Sequence, residues 1–225
     1  MSLPPNSDAL VEQVVRRVVA RLQVGASAPA APQQRMVVPC NISVRHIHLS
    51  RESMDALYGP GVDLEPMRAL YQTGEFASKQ TLTLVGPRMR CLGEVRILGP
   101  LRNYTQVEVS RTDAIYLGID PPVNRSGDHK GSVGLILVGP VGVLHLDKGV
   151  IQANRHIHLS VESAAKWGIQ DNQSVKVRVE ANGKKTVLEE CQARVSKLFK
   201  DEMHLDTDGG NACGLRGGEP VEILL

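Results

Sequence analysis

Aromatic residues are scarce: two Phe, four Tyr and one Trp make up 3% of the 225 residues. A core must therefore be filled by Val, Leu, Ile and Ala, a composition that suits many short strands. Charge of one sign is not in excess either, since 26 Lys plus Arg face 24 Asp plus Glu for a net of +2. Proteins held on nucleic acid by phosphate contacts carry a clear basic excess or stripe, so no nucleic-acid partner is expected. Nothing approaches the roughly 20 consecutive apolar residues that span a bilayer, and Glu12, Arg16, Arg17 and Arg21 break the apolar N-terminal stretch. Neither a membrane span nor secretion is expected. Cysteine is limited to Cys40, Cys91, Cys191 and Cys213, with no CxxC pair, which reads as reduced cytosolic thiols rather than a disulfide framework. Cys213, inside GGNACG, is the one cysteine kept as a candidate site residue, against the plainer reading of a small buried hydrophobe.

With 42% hydrophobic residues the chain can bury one large core or two small ones. Residues 7–23, SDALVEQVVRRVVARLQ, space Val11, Val14, Val15, Val18 and Leu22 by three and four, which predicts an amphipathic helix with Ser7 as its N-cap. The following GASAPAAPQQ, residues 25–34, reads as a flexible tether. A lone helix this short is marginal in water, so its apolar face is expected to order on a partner or on another copy of the chain.

The most informative feature is an internal duplication. SVRHIHLS at 43–50 and ANRHIHLS at 153–160 share RHIHLS at a separation of 110, and Glu-Ser follows both copies. Each copy reads as a strand ending at a helix capped by Ser50 or Ser160. The separation fits two related domains rather than a solenoid. In a strand, residues two apart share a face, so His46 projects with His48 and His156 with His158, while Ile47 and Ile157 turn to the other side as core anchors. Each pair is a two-point chelate for a transition metal, with imidazole as a common zinc ligand. Each pair lacks at least one further ligand. His204, in the polar and Gly-rich KDEMHLDTDGGNACG, is the best addition, with His129 in a loop and His145 in an alternating strand as rivals. For the first pair a carboxylate is the better complement, and Glu108 in QVEVS faces away from its neighbouring valines, toward either solvent or a cleft.

The rest predicts short strands at 81–85, 94–98, 106–110, 133–138 and 142–146, and a hairpin in which SVKVRVE and KTVLEECQARV flank Ala-Asn-Gly. DAIYLGID at 113–120 and SAAKWGIQD at 163–171 read as short helices followed by tight turns, a pattern similar to small closed barrels of the double-psi type. The expected fold is mainly β: two small barrels capped by short helices, with a detached N-terminal amphipathic helix.

The paired RHIHLS motifs, QVEVS with LRN before it, DEMHLDTDGGNACG and the amphipathic extension together resemble the PduL family, the phosphate propanoyltransferases (phosphotransacylases) of bacterial microcompartments. The resemblance covers residues 36–225, and the extension resembles the family's encapsulation-peptide variant. It implies a helix over 1–24, a linker over 25–35, one barrel from 36–46 plus 155–225 and another from 47–154. It also implies two zinc ions, one on His46, His48 and Glu108, the other on His156, His158 and His204. Arg102 matches the family's phosphate-binding arginine, suited by its planar fork, and Asn41, Ile42, Ser43, Arg88, Arg96 and Asn211 fall near positions that contact coenzyme A. The implied reaction interconverts acyl-CoA (propionyl-CoA or acetyl-CoA) plus phosphate with acyl phosphate plus CoA. It would run in a microcompartment lumen within the cytoplasm, with shell or core proteins bound through the N-terminal helix and the enzyme a homo-oligomer. Cys213 is the first place to look for a covalent acyl-enzyme, although direct attack is the expectation. A dinuclear zinc hydrolase is the runner-up, and a zinc-stabilised assembly module is the non-enzymatic alternative.

Overall fold

The structure, a computed structural model, describes residues 7–24 and 35–225. The tether expected over 25–34 lies outside the described residues, and the chain divides between Arg35 and Met36 into two units. The first contains helix α1 (Ser7–Val24), which takes Ser7 into the helix rather than using it as a cap. Val11, Val14, Val15 and Val18 are all exposed on it.

The second unit is mainly β. It begins with β1 (Met36–Ser43), β2 (His46–His48), α2 (Arg51–Tyr58), β3 (Pro66–Ala69), β4 (Phe76–Val85), β5 (Cys91–Gly99) and β6 (Gln106–Glu108). Helix α3 (Arg111–Leu117), β7 (Val123–Asn124), β8 (Val133–Val138) and β9 (Val143–Ala153) complete its middle part. The last part holds β10 (His156–Leu159), α4 (Val161–Trp167), β11 (Ser174–Ala181), β12 (Lys184–Val195), β13 (Glu202–Asp206), α5 (Thr207–Cys213) and β14 (Glu219–Leu224).

These strands close into two six-stranded barrels. The C-terminal barrel runs β1-β13-β10-β12-β11-β14 and closes on itself. The middle barrel runs β2-β5-β4-β8-β9-β6 and returns to β2, with β3 and β7 attached outside the ring at β4 and β9. Closure leaves neither ring with an open edge, which matters for strands this short.

The pairing patterns match strand for strand. β2 is parallel to β5 and antiparallel to β6, as β10 is parallel to β12 and antiparallel to β13. The ring then passes in parallel from β6 to β9 and from β13 to β1. β9 is thus the counterpart of β1, and each leads directly into the histidine strand of the other barrel. The duplicated halves have exchanged these strands, which ties the barrels together through the chain at both histidine motifs.

Local chemistry explains the elements. Ser50 and Ser160 cap α2 and α4, each Oγ accepting from the backbone N–H three residues on, at 3.2 and 3.1 Å. Helices α3 and α4 end at left-handed Gly118 and Gly168, where the next N–H, of Ile119 or Ile169, returns to Ala114 or Ala164. The β11–β12 hairpin turns at Asn182 and Gly183, both with positive φ as its turn requires. Inside the barrels, Ile47, Ile97, Val107 and Leu137 fill one core, and Ile157, Val177, Ala193 and Met203 the other. Each fully buried isoleucine contributes about 1.5–3 kcal/mol.

Candidate metal centre

Both histidine motifs use the strand alternation that anchors them. Ile47 sits opposite Ile97 and Val107 and turns into the middle barrel, so His46 and His48 point out of it, with Glu108 opposite His46 and Gln106 opposite His48. Ile157 sits opposite Ala193 and Met203, so His156 and His158 point out of the C-terminal barrel, with His204 opposite His156 and Glu202 opposite His158. Side chains facing out of a barrel are normally wet, yet His46, His48, Gln106, Glu108, His156, Arg194 and Glu202 are all buried. The barrels cover each other there. Gln72, from the loop before β4, reaches Glu202 of β13 at 2.7 Å, and the Thr112 N–H donates to Asp208 of α5 at 2.8 Å. One small cavity is lined by Glu108 from one barrel and by His156, His204, Asn154, Ser43 and Asp206 from the strands of the other and the adjoining segment.

Two groups of three ligand atoms result, His46 with His48 and Glu108, and His156 with His158 and His204, all within 4.8 Å of one another in each group. The rivals fall away: His145 is exposed beside Asp147, and His129 bonds Gln106 Oε1 at 3.1 Å, outside both groups. The third ligand occupies the same register in both barrels, opposite the first histidine of the motif, although one is a carboxylate and the other an imidazole.

Several features fit these groups to a divalent metal. Two ligand atoms on one tetrahedral zinc lie about 3.4 Å apart, and His46 Nε2 stands 3.5 Å from Glu108 Oε2. His46 Nδ1 donates to the Val44 carbonyl at 2.9 Å and His156 Nδ1 to the Asn154 carbonyl at 2.8 Å. A carbonyl only accepts, so the proton sits on Nδ1 and the Nε2 lone pair is free for a metal. His158 Nδ1 is buried without any hydrogen-bond partner, a costly arrangement for a polar atom unless something binds it. Burial, then His46 and Arg102, holds His48 well below the usual imidazole range. Burial, then Arg194 and the neighbouring imidazoles, does the same to His156, and burial, His204 and Arg194 bring His158 down to about 3. Neutral imidazoles are the form that ligates. A metal held there would have three protein ligands, the number typical of catalytic rather than closed structural sites.

Arg102 stands beside the first group. Its backbone N–H bonds the Leu49 carbonyl at 2.9 Å, and its guanidinium donates to Tyr104 at 2.7 Å, Ser126 at 3.3 Å and Glu75 at 3.4 Å. Ser126 takes a second bond, from Gln106 at 2.9 Å, and Gln106 also donates to Glu108 Oε1 at 2.7 Å. Guanidinium and carboxylate are thus held by one relay.

The remaining site residues divide. Asn41 pairs in register with His204, Ile42 with Leu205 and Ser43 with Asp206, and Ile42 packs on Gly210 next to Asn211 in α5. Arg96 is opposite His46 on β5 and donates to the Ser78 and Lys79 carbonyls at 3.2 and 2.7 Å. Arg88 packs against Gly118 in the turn between β4 and β5. Cys213 is corrected: it is fully buried in the C-terminal core and burial raises its thiol pKa, so the hydrophobe reading holds and it offers no nucleophile.

Three residues escaped sequence reasoning. Glu202 is 2% exposed and accepts from Asn41 at 2.5 Å and from Gln72. Burial pushes its carboxyl up, but the bonds from His204, Asn41 and Gln72 outweigh this and hold it below the usual range. Gln106 and Arg194 are likewise buried. A signal existed for two of them, because Gln106 and Glu202 each stand two residues before a third ligand, on the same face of the strand.

A family model described as phosphate propanoyltransferase matches residues 39–216. A phosphate propanoyltransferase of Planctopirus limnophila is 46% identical over 225 residues, 97% of this chain and 91% of the relative. Proteins of the same description from Thermotoga maritima and Lachnoclostridium phytofermentans are 45% identical over 183 residues and 41% over 217. They cover 81% and 96% of this chain, and 87% and 99% of the relatives. The matched span includes both ligand groups and Arg102, and the chain belongs to the phosphate propanoyltransferase family, as an acyltransferase that uses phosphate.

Proposed function

We propose that the chain is a dinuclear zinc phosphate propanoyltransferase that converts a short acyl-CoA and phosphate into acyl phosphate and CoA, and runs the reverse reaction as well. The observation that carries this reading is a pair of three-ligand groups, one from each barrel, of which Glu108 on one side and His156 and His204 on the other line one small cavity, with Arg102 acting on His48. In the forward direction a phosphate oxygen attacks the thioester carbonyl, the carbon–sulfur bond breaks, and CoA leaves as a thiolate that takes up a proton. Such a reaction needs two anionic reactants brought together, negative charge on the carbonyl oxygen offset, and a sulfur leaving group accepted. Bound metal supplies Lewis acidity toward oxygen and affinity for sulfur. The protein's own residues do the rest: Arg102 holds phosphate through its fork, and the Ser126–Gln106 relay fixes Glu108. The β1 segment Asn41–Ser43, with Asn211, forms the side on which CoA is proposed to lie, and Arg88 and Arg96 are proposed to meet its more distant groups. No acylated residue is required, and Cys213 cannot be one.

Helix α1 is proposed to address the enzyme to a microcompartment, its exposed valines binding a shell or core protein. The chain would then act in the lumen as a homo-oligomer.

Metal analysis combined with CoA release from propionyl-CoA, with and without phosphate, tests the reaction. About two zinc per chain and strictly phosphate-dependent release are expected. Phosphate-independent release would point to hydrolysis, and a metal-loaded protein without turnover to an assembly module.

A further inference from the structure

Arg194 is the only buried arginine among the described residues, 5% exposed. None of the ion pairs among these residues includes it. Its guanidinium makes one side-chain bond, to Asn154 Oδ1 at 2.6 Å, and its Nε has no partner. A guanidinium stays charged at neutral pH. A buried, charged and half-satisfied guanidinium destabilises a fold unless an anion completes it.

Its position says which anion. Arg194 lies opposite His158 on the outward face of the C-terminal barrel, and Asn154, which it grips, lines the cavity with Glu108, His156 and His204. Its charge acts on His156 and His158, as that of Arg102 acts on His48. The middle-barrel group thus has Arg102 beside it and the C-terminal group has Arg194, with Arg125 also acting on His158. The fold does not demand this charge, because the next position along β5 after Arg96 and Ile97, the counterpart of Arg194 in the middle barrel, is Leu98.

We propose that Arg194 is a second phosphate-binding arginine, which grips from the C-terminal barrel the same phosphate that Arg102 grips from the middle barrel. The inference rests on the transferase reading. Phosphate becomes the phosphoryl group of the product, so Arg194 holds the anion in both directions of the reaction, and acyl-CoA, bound along β1, does not depend on it.

The test uses the full-length, metal-loaded enzyme and its Arg194→Gln and Arg194→Lys variants. It compares KM for phosphate, acyl phosphate and propionyl-CoA, inorganic phosphate binding by calorimetry, and metal content. Loss of a charge-assisted bond should raise KM for phosphate and for acyl phosphate about 10- to 100-fold in Arg194→Gln and weaken phosphate binding by a similar factor. KM for propionyl-CoA should stay within about twofold and metal content should be unchanged, with Arg194→Lys intermediate. If Arg194→Gln does not fold, Arg194→Lys decides on the same readouts. An unchanged phosphate KM and phosphate binding, or equal losses for phosphate and propionyl-CoA, would overturn the proposal. Absence of phosphate-dependent CoA release in the unmodified enzyme would instead overturn the transferase reading itself.

Discussion

At the scale of single residues, the histidines were legible because a strand exposes its period in the sequence, and HIH twice over puts four imidazoles on two faces. Glu108 was ambiguous because the same alternation that turns it from the core points equally to solvent or to a cleft. Only the second barrel, packed over it, decides. Glu202 and Arg194 were invisible for the same reason: a charged residue in an alternating strand reads as solvated until its neighbour is known. Gln106 offers a direct check. Its bond to Glu108 Oε1 orients a candidate metal ligand, so Gln106→Leu should weaken metal binding about 10- to 100-fold while the protein stays folded, measured by competition with a chelating dye. The cysteines give another. Burial pushes Cys40 up to about 12 and Cys191 up to about 11, whereas Cys91 is exposed. A thiol reagent should modify one cysteine per native chain quickly and the remainder only on unfolding. Because the unfolded thiols ionise near 9 and the folded ones do not, their contribution is complete below about pH 9 and is lost between there and about pH 11–12. The urea midpoint should therefore fall over that range, and fall less in Cys40→Ala.

Among the elements, caps and the hairpin were legible from local chemistry, and the expected Ser50 and Ser160 caps and the Asn-Gly turn are all present. Strands β3 and β7 were not anticipated, since they attach outside the rings and lack a buried alternating face. β6 stops at Glu108 because Ser110 is needed to cap α3. The exchange of β1 and β9 could not be read from periodicity at all, because a strand's partner is not encoded in its own alternation; it entered through the family resemblance. It yields a sharp contrast between two truncations. Removing residues 1–24 should leave the melting temperature and turnover unchanged but abolish co-purification with microcompartment shells. Removing residues 1–43 deletes β1, which pairs with β13 along Asn41–His204 and with β14 on its other side, and should unfold the C-terminal barrel and lose the metal held by His204.

For the whole molecule, duplication explains why two groups of candidate ligands exist, and packing of the two outward faces explains why Glu108 of one and His156 and His204 of the other line one cavity. The halves are not equivalent. Where the middle barrel has Glu108, Gln106 and Leu98, the equivalent positions of the C-terminal barrel carry His204, Glu202 and Arg194, so the site is asymmetric although its frame is symmetric. Chelation should accordingly stop turnover without unfolding the barrels, whose apolar cores are complete without metal. Circular dichroism before and after chelation checks this.

The most direct measurement is zinc stoichiometry together with phosphate-dependent CoA release in His48→Ala and His158→Ala, one variant for each barrel. Both variants should fold, each should retain about one zinc where the unmodified protein holds about two, and both should lose turnover by at least about a thousandfold. Full turnover in either variant, or zinc content untouched by both substitutions, would contradict a centre shared between the two barrels.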